Sequence, residues 1–514
     1  MKPCSLLALL LLMAVNIPSF CWAQRAGTTP IASTPPPVVA RLDSLLSARY
    51  HKLQFTGNVL LAQKGVVVYQ RSFGYADREN LRLMTESSRF HLASTSKLFT
   101  AVAILQLKQR GLLNLTDSVV QYLPDFPYPR ITIWHLLTHT SGLPDFDIFD
   151  PYYHQDPKRI LTNADLIPAL KRYGRVLFEP GEKWSYSSPG MALLASIVEQ
   201  ITHLSFEQYL KQYIWAKAGM HHTYINSLSA PVEDPKRVKN YARPTIFSDS
   251  VQPADAIARH QQFAHVSGAL IGPGLVVSDA HDLLLFDQAL SAGKLLNHKT
   301  MKEAFSPIKL TNGQYAQPEP FLGKTAFGLG WFILTEDPAR KIVMHTGKQG
   351  GVVTIFLRDL TSKRTLILLD NFESYGLNNT ALNALRILDN KPLLVLKESL
   401  AFTYAKDITK RGTDFAVSHF NQIKSDTAHY YLNLYELDYV GHQLIAGQQP
   451  GLGMETLRLL TQINPTGWFP YYSYGKALLA SGKKEEAAMT IAKSLLLSPD
   501  NQEVKQLAEQ LKSN

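Results

Sequence analysis

Cysteine is almost absent from this chain of 514 residues. The two copies, Cys4 and Cys21, both precede residue 24, where we expect the mature protein to begin. A mature chain without cysteine has no disulfide, no thiol nucleophile and no thiolate metal site. Its length nevertheless suffices to bury a large core without such staples.

Long runs of like charge are also missing. Lys and Arg number 52 against 42 Asp and Glu, a formal net charge of +10, but no run of five or more basic residues occurs. Nucleic acid is therefore not expected as a partner, although a basic face for anionic peptides or cell-wall polymer is compatible with this balance. With 45% hydrophobic and 18% charged residues the chain is globular, and its length allows two to four domains.

No long apolar run marks the N-terminus as a membrane span. The apolar run at residues 6–15 is too short to cross ~30 Å of hydrocarbon. Lys2 precedes it, and Cys21 and Ala23 are small residues at −3 and −1 before Gln24, so residues 1–23 predict a cleaved signal peptide. Lipidation of Cys21 and retention as an anchor are the alternatives. After cleavage we expect no stable membrane span and a periplasmic or secreted protein.

Several familiar catalytic motifs are absent. Residues 323–325 read Gly-Lys-Thr, but Pro318 stands where a phosphate-binding loop needs glycine. His135 and His139 have the spacing of a zinc helix, but Leu136 replaces the glutamate that such a site uses as its base. The G-x-S-x-G nucleophile elbow is missing too. We therefore expect no cofactor and no metal.

Patterning along the chain predicts two folded domains. Residues 24–38 form a Pro-rich linker, too polar to fold alone. Residues 39–392 mix strand and helix patterns, beginning with a helical stretch and a β-hairpin that turns at Lys64-Gly65. Strands at both ends with helices between them indicate one α/β domain.

Residues 393–514 are dominated by helix formers and contain a period of 34 residues. Residue types recur at this spacing in three pairs: Gly441 and Gly475, Leu444 and Leu478, Pro465 and Pro499. The pattern resembles tetratricopeptide repeats, with the first copy degenerate at Gly453, and an unrelated helical hairpin is the alternative. We expect a small all-α helical-repeat domain that binds a protein or peptide partner through residues 395–514 or packs against its neighbour.

The chemistry begins at Ser94-Thr-Ser-Lys97, which opens the apolar helix predicted over residues 98–107. Ser94 and Lys97 are at i and i+3 and share one face of a helix. A buried lysine with a lowered pKa can accept the serine proton, and the helix N-terminus favours the developing negative charge. The pattern is weak by itself, because a capping serine followed by a surface lysine looks the same.

Two further boxes follow in order, Tyr186-Ser-Ser188 and His345-Thr-Gly347. With these boxes the sequence resembles the serine β-lactamase and penicillin-binding protein family, in its class C-like branch of D,D-peptidases and esterases. The resemblance covers about residues 39–390. It extends to three flanking segments, at residues 131–143, 272–283 and 327–331.

The resemblance implies a β-lactamase-like fold, in which helices flank an antiparallel sheet and form an all-helical subdomain. It implies that Ser94 is acylated and that Lys97 and Tyr186 share proton transfer, with the formal base left open. The oxyanion would meet the backbone N–H groups of Ser94 and of Lys348, on an edge strand. The residues expected to bind substrate are Ser188, His345, Thr346, Gly347 and Lys348.

Two departures from that family pattern bear on substrate. Ser188 stands where the branch usually has asparagine, and His345 stands where lactamases commonly have lysine. Both changes are expected to weaken the binding of a β-lactam. We therefore expect an exported serine hydrolase with an acyl-enzyme, of the D,D-carboxypeptidase, D-amino-acid amidase or esterase type, acting on a small peptide, ester or β-lactam. The alternatives are a β-lactamase and a catalytically weak protein that binds peptide or cell wall.

Overall fold

A computed structural model describes most of the chain. The expected signal peptide and all but the last three residues of the Pro-rich linker lie outside the described residues. No helix in the described part is both long and apolar enough to cross a membrane. The described residues are 36–513 except 53, 246, 319–322, 375 and 396.

Within the described residues the strands form one large antiparallel sheet, a small three-stranded sheet and three two-stranded pairs. In chain order they are β1 Gly57–Gln63, β2 Val66–Phe73, β3 Tyr75–Asp77, β4 Arg82–Leu83, β5 Phe90–His91, β6 Tyr224–Ile225, β7 Tyr241–Ala242, β8 Gln252–Pro253, β9 Val276–Ser278, β10 Thr325–Phe327, β11 Phe332–Leu334, β12 Ile342–Gln349, β13 Val352–Asp359, β14 Arg364–Asp370, β15 Glu398–Ser399 and β16 Tyr430–Tyr431.

The large sheet has the strand order β10-β11-β12-β13-β14-β1-β2. The predicted hairpin β1–β2 turns at Lys64 and Gly65, whose φ values of 52° and 77° suit a two-residue hairpin loop. β1 also pairs with β14, which joins the beginning of the domain to its end. The expected mixture of an antiparallel sheet and flanking helices is confirmed.

Helices cover this sheet and form a separate helical layer beyond it. Up to residue 388 they are α1 Pro36–His51, α2 Lys97–Gln109, α3 Ile133–Leu137, α4 Asp150–Gln155, α5 Leu166–Tyr173, α6 Ser188–Thr202, α7 Phe206–Leu210, α8 Ala216–Ala218, α9 Ala258–Ser267, α10 Ala280–Ser291, α11 His298–Ala304 and α12 Leu377–Leu388.

Helix α2 is central to the domain, and every residue from Leu98 to Leu107 is buried. It packs against α6 and α7, and the 3₁₀ turn Ala93–Ser96 that leads into it packs against β12 and β13. An apolar helix of this kind is stable only inside a core. The chain therefore places the start of α2 between the sheet and the helical layer.

The C-terminal part is helical, as expected, and has its own apolar core. Its helices are α13 Leu400–Arg411, α14 Thr413–Ile423, α15 Leu434–Ala446, α16 Pro450–Ile463, α17 Trp468–Ala480, α18 Lys484–Leu497 and α19 Gln502–Ser513. Helices α17 and α18 begin 34 residues after α15 and α16, respectively. The tetratricopeptide interpretation and the boundary at residue 392 both stay predictions.

Close helix packing explains the glycines of the 34-residue pattern. A Cβ on Gly441 would lie 2.7 Å from the side chain of Leu457, and one on Gly475 would lie 2.6 Å from that of Ile491. Gly453, which made the first copy look degenerate, would carry a Cβ only 2.6 Å from the carbonyl oxygen of Gly441. Glycine at these positions lets the paired helices approach each other.

Candidate active site

Ser94 and Lys97 lie at the buried start of α2. Ser94 is half-buried in the 3₁₀ turn, and the preceding Ala93 has a φ of 48°, a strained value for a residue with a side chain. Lys97 is 1% exposed, and its Nζ lies 3.0 Å from Ser94 Oγ. The same Nζ donates to the carbonyl oxygen of Pro273 at 2.9 Å. The Gly-Pro-Gly segment at 272–274 thus orients the amine toward the serine.

The environment of Lys97 favours an uncharged amine. Burial lowers the pKa of Lys97 to about 7, against a smaller upward effect from the charge of Asp145. A neutral amine that donates to Pro273 keeps its lone pair for the hydroxyl of Ser94. Near neutral pH this pair has the geometry and the charge state of a nucleophile with an adjacent general base.

Tyr186 completes the group around the serine oxygen. Burial raises the pKa of Tyr186 above its usual range, although a hydrogen bond with Ser94 acts in the opposite direction. The Nζ of Lys97 lies 4.8 Å from the centre of the tyrosine ring. Tyr186 therefore stays protonated at neutral pH, and of the two groups Lys97 is the one able to accept a proton.

The third box lies within β12. We expected β12 to be an edge strand, but it lies between β11 and β13 in the sheet. β11 ends its pairing at Met344, however, so the segment from His345 onward has a sheet neighbour on the β13 side alone. The end of β12 that carries the third box is therefore open on one side, as in an edge strand, although β12 as a whole is not an edge strand.

The hairpin between β12 and β13 sets the direction of the backbone N–H of Lys348. Gln349 pairs with Val352 across a two-residue loop, so Lys348 and Val353 form the next, non-hydrogen-bonded pair. The N–H of Lys348 therefore points away from β13, and the turn that carries Ser94 packs against this strand. A Cβ on Gly347 would lie 2.2 Å from the carbonyl oxygen of Leu92, so glycine is needed for this approach.

His345 is buried beside the amine and carries no charge. Burial and the charge of Lys97 lower the pKa of His345 to about 3. Its Nδ1 donates to the carbonyl oxygen of Thr346 at 2.7 Å, so Nε2 presents a lone pair. Thr346 itself is half-buried. The box therefore has a buried, neutral imidazole at the position where lactamases commonly have a lysine.

His139 and Asp145 belong to the site but had no predicted role. The ring of His139 lies 4.5 Å from that of Tyr186, centre to centre, and its Nδ1 accepts the N–H of Ser187 at 3.3 Å. Asp145 accepts the N–H of Ser188 at 2.8 Å. His139 lies in one of the segments that carried the resemblance, but its φ of 56°, which directs this ring, is invisible in a sequence.

A cavity of about 460 Å³ opens next to the hairpin end of β12. Gln349, His260 and Phe263 are among its lining residues. Phe263 also stacks edge-on against Phe146, the neighbour of Asp145, at 5.4 Å between ring centres. The cavity has the size of a small-molecule site, but Ser94, Lys97 and Tyr186 are not among its lining residues, so it adjoins the β12 hairpin and not the catalytic group itself.

One group of side chains outside this site has potential metal ligands. His222, Asp279 and Asp282 bring ligand atoms within 4.8 Å of one another. Hydrogen bonds account for the arrangement, since Asp279 caps α10 and Asp282 accepts from the backbone of His222 and from Thr223. We interpret the group as the bracing of a helix end.

The fold and the cluster of Ser94, Lys97 and Tyr186 are those of a serine hydrolase. Comparison with known proteins supports the same class. The family model described as Beta-lactamase matches residues 42–387. Penicillin-binding protein 4* of Bacillus subtilis is 36% identical over 338 residues, which cover 65% of this chain and 71% of that protein. The chain belongs to the β-lactamase family and is a serine hydrolase of that family.

Two solved structures show the same fold. A penicillin-binding protein from Bacillus halodurans superposes with a TM-score of 0.56 at 25% identity, covering 67% of this chain and 98% of that one. The D-amino acid amidase from Ochrobactrum anthropi SV3, complexed with L-phenylalanine amide, gives a TM-score of 0.57 at 24% identity. That alignment covers 69% of this chain and 99% of the amidase, and at this identity it bears on the fold alone.

Proposed function

We propose that this protein is an exported hydrolase that cleaves an amide or ester bond through an acyl-enzyme on Ser94. The observation that carries the proposal is the buried contact between Lys97 Nζ and Ser94 Oγ, completed by the hydroxyl of Tyr186. A binding protein without activity would have no need for a desolvated lysine in contact with a serine hydroxyl, or for the strained backbone at Ala93 just before that serine. The substrate class is a small peptide, an amino-acid amide or an ester.

The proposed reaction begins with attack of Ser94 Oγ on the substrate carbonyl carbon while Lys97 Nζ takes the hydroxyl proton. The oxyanion accepts hydrogen bonds from the backbone N–H groups of Ser94 and Lys348. Collapse of the tetrahedral intermediate breaks the bond to the leaving amine or alcohol, which takes a proton relayed from Lys97 through Tyr186. Water, deprotonated by the same groups, then attacks the ester and releases the acid and free Ser94.

The remaining residues of the three boxes would line the substrate. Thr346 and Lys348 flank Gly347 on β12, which runs along the acylation point. Ser188 lies at the start of α6 beside the acyl group. His345 lies behind the site and supplies no positive charge, which disfavours the β-lactamase alternative because a β-lactam carries a carboxylate.

Export and the helical tail complete the proposal. The N-terminal pattern of residues 1–23 supports a periplasmic or secreted enzyme. Phe247 of the hydrolase part packs against the core of the tail, and Lys410 of α13 donates to Asp249 at 2.6 Å. These contacts favour a tail that packs on the hydrolase domain over one that only recruits a protein or peptide partner.

The test is labelling of the purified protein with a fluorescent penicillin. We expect a covalent adduct that is stable to denaturation, that disappears in Ser94→Ala and that survives in Ser250→Ala, an exposed serine outside the site. Rapid release of the label through Ser94 would instead favour the β-lactamase alternative.

If no adduct forms, hydrolysis of p-nitrophenyl acetate is the next test. Hydrolysis that requires Ser94 would then establish an esterase or amidase with a site closed to β-lactams. Hydrolysis that survives Ser94→Ala, or no hydrolysis, would contradict the proposed acyl-enzyme and favour the binding protein.

A further inference from the structure

A carboxylate lies beside the catalytic group and has no part in the mechanism above. Asp145 accepts the backbone N–H of Ser188 at 2.8 Å, and the hydroxyl of Ser188 donates to it as well. Its charge reaches both Lys97 and Tyr186, since it raises the pKa of each. The carboxylate is thus near the point where Ser94 binds the substrate carbonyl.

Asp145 has no cationic partner within the described ranges of the chain. No lysine, arginine or histidine nitrogen among these residues lies within 4.0 Å of its carboxylate, and Lys97 Nζ is instead held by Ser94 and Pro273. Asp145 is half-buried, as are Ser94 and Tyr186. Burial raises the pKa of Asp145 above its usual range, while the hydrogen bonds from Ser188 and the charge of Lys97 act in the opposite direction. Removing a carboxylate from water is unfavourable without hydrogen bonds or an opposite charge. Ser188 supplies the former, and the latter can come from the substrate.

The surroundings also disfavour a neutral acylamino group at this place. Ser188 gives both its backbone N–H and its hydroxyl to Asp145, so neither is available to the carbonyl of an N-acyl group. Asp147, exposed two residues further along the chain, adds a second negative charge near Asp145. This side of the site is negative and rich in acceptors.

We propose that Asp145 binds the α-ammonium group of the acyl part of the substrate. The α-nitrogen is two bonds from the carbonyl carbon that Ser94 attacks, so it must lie within a few ångströms of the serine oxygen, and in this proposal it lies on the side of Ser188 and Asp145. The substrate class is then an amino-acid amide, an amino-acid ester or a peptide with a free N-terminus. This inference rests on the proposed acylation of Ser94 and narrows its substrate.

Competition against hydrolysis of p-nitrophenyl acetate tests the proposal without requiring turnover of the probe. The inhibition constants of alaninamide and N-acetylalaninamide, each as both enantiomers, are measured at pH 7 on the full chain. We expect one enantiomer of the free amine to bind about tenfold or more tightly than its N-acetyl form, because a charge-assisted hydrogen bond is lost on acetylation. In Asp145→Asn that preference falls about tenfold.

Asp147→Asn is the matched control, since it removes the same charge from the same loop. It should keep the preference to within about threefold, because an exposed charge is screened by solvent. A preference that is absent in the wild-type protein, or that is unchanged in Asp145→Asn, would overturn the proposal. Equal weakening of both probes in Asp145→Asn would do so too, and would show that Asp145 acts only through Lys97.

Failure of the proposed function would look different. It would appear as ester hydrolysis that is absent or independent of Ser94, whatever the variant at Asp145. Calorimetric titration of alaninamide and N-acetylalaninamide needs no turnover, and would still decide whether Asp145 selects an ammonium group.

Discussion

Two buried histidines lie beside the proposed catalytic group, and their rings carry the proton on different nitrogens. His139 accepts the N–H of Ser187 at Nδ1, so its proton is on Nε2, whereas His345 donates from Nδ1 and presents a lone pair at Nε2. Burial, together with the charge of Lys97, lowers the pKa of both far enough to keep them neutral. Neither ring competes with Lys97 for the serine proton. The charge state of the site near neutrality is therefore set by Lys97.

The first prediction is that the reaction has a pH limb set by Lys97. Because burial lowers the pKa of Lys97 to about 7, the neutral and active amine predominates above that pH. The kcat/KM for p-nitrophenyl acetate, which does not titrate, should be level above about pH 8 and fall about tenfold per pH unit below pH 7. A profile that is flat between about pH 5 and 9, or one that still rises near pH 10, would show that Lys97 is not the base.

A companion variant separates Lys97 from other groups. Asp145→Asn removes the charge that raises the pKa of Lys97, so the limb should move to lower pH. The change in pH dependence is expected whether or not Asp145 also binds substrate. An unmoved limb would mean that a group remote from Asp145 titrates.

At the scale of elements, β12 must lie against the turn that carries Ser94. Gly347 is the point of contact, because a Cβ there would lie 2.2 Å from the carbonyl oxygen of Leu92 and 2.5 Å from Thr354 Oγ1. Neither atom can give way easily, since one is backbone and the other is buried and hydrogen-bonded to Thr95. The strand would have to move away from the serine.

Gly347→Ala should therefore lower kcat/KM for the ester by about 100-fold, the typical effect of losing one oxyanion-hole donor. The matched control is Gly350→Ala in the adjoining loop, where the new methyl would meet its nearest atom, in His260, at 3.9 Å. That variant should stay within about threefold of wild type. Circular dichroism checks that both variants fold, and equal activity of the two would contradict the role given to β12.

The elements also show what sequence could and could not predict. The hairpin at Lys64-Gly65, the apolar helix after Ser94 and the strands around His345 follow from local patterns, and all are present. The sequence could not show that β12 has a sheet neighbour on one side only from His345 onward, because this depends on where β11 stops pairing. The role of Asp145 could not be predicted for a similar reason, because only the course of the loop after His139 brings this residue to Ser188.

At the scale of the whole molecule, the helical tail reaches the neighbourhood of the active site. Glu373 holds Arg259 at 2.9 Å and lies 3.5 Å from the ammonium of Lys348. Tyr439 of α15 is close enough for the charges of Arg259 and Glu373 to affect its pKa. Lys348 thus connects the proposed oxyanion site, through Glu373, to a contact with the tail.

The last prediction concerns Phe247, which anchors the tail by packing against its apolar core. Phe247→Asp should loosen this contact, because an unpaired carboxylate in an apolar contact is unfavourable. We expect limited proteolysis to cut the connection around residues 390–399 about tenfold faster than in wild type. The control is Leu81→Asp, which adds the same charge at a position that is 72% exposed.

The same two variants decide what the tail does for the enzyme. If the tail supports the site through Glu373, Phe247→Asp should also raise the KM for the ester while Ser94 still takes up label. Unchanged proteolysis in Phe247→Asp would contradict the docked arrangement. Faster proteolysis with unchanged KM would confine the tail to stability or recruitment, because loss of docking would then leave the position of Lys348 undisturbed.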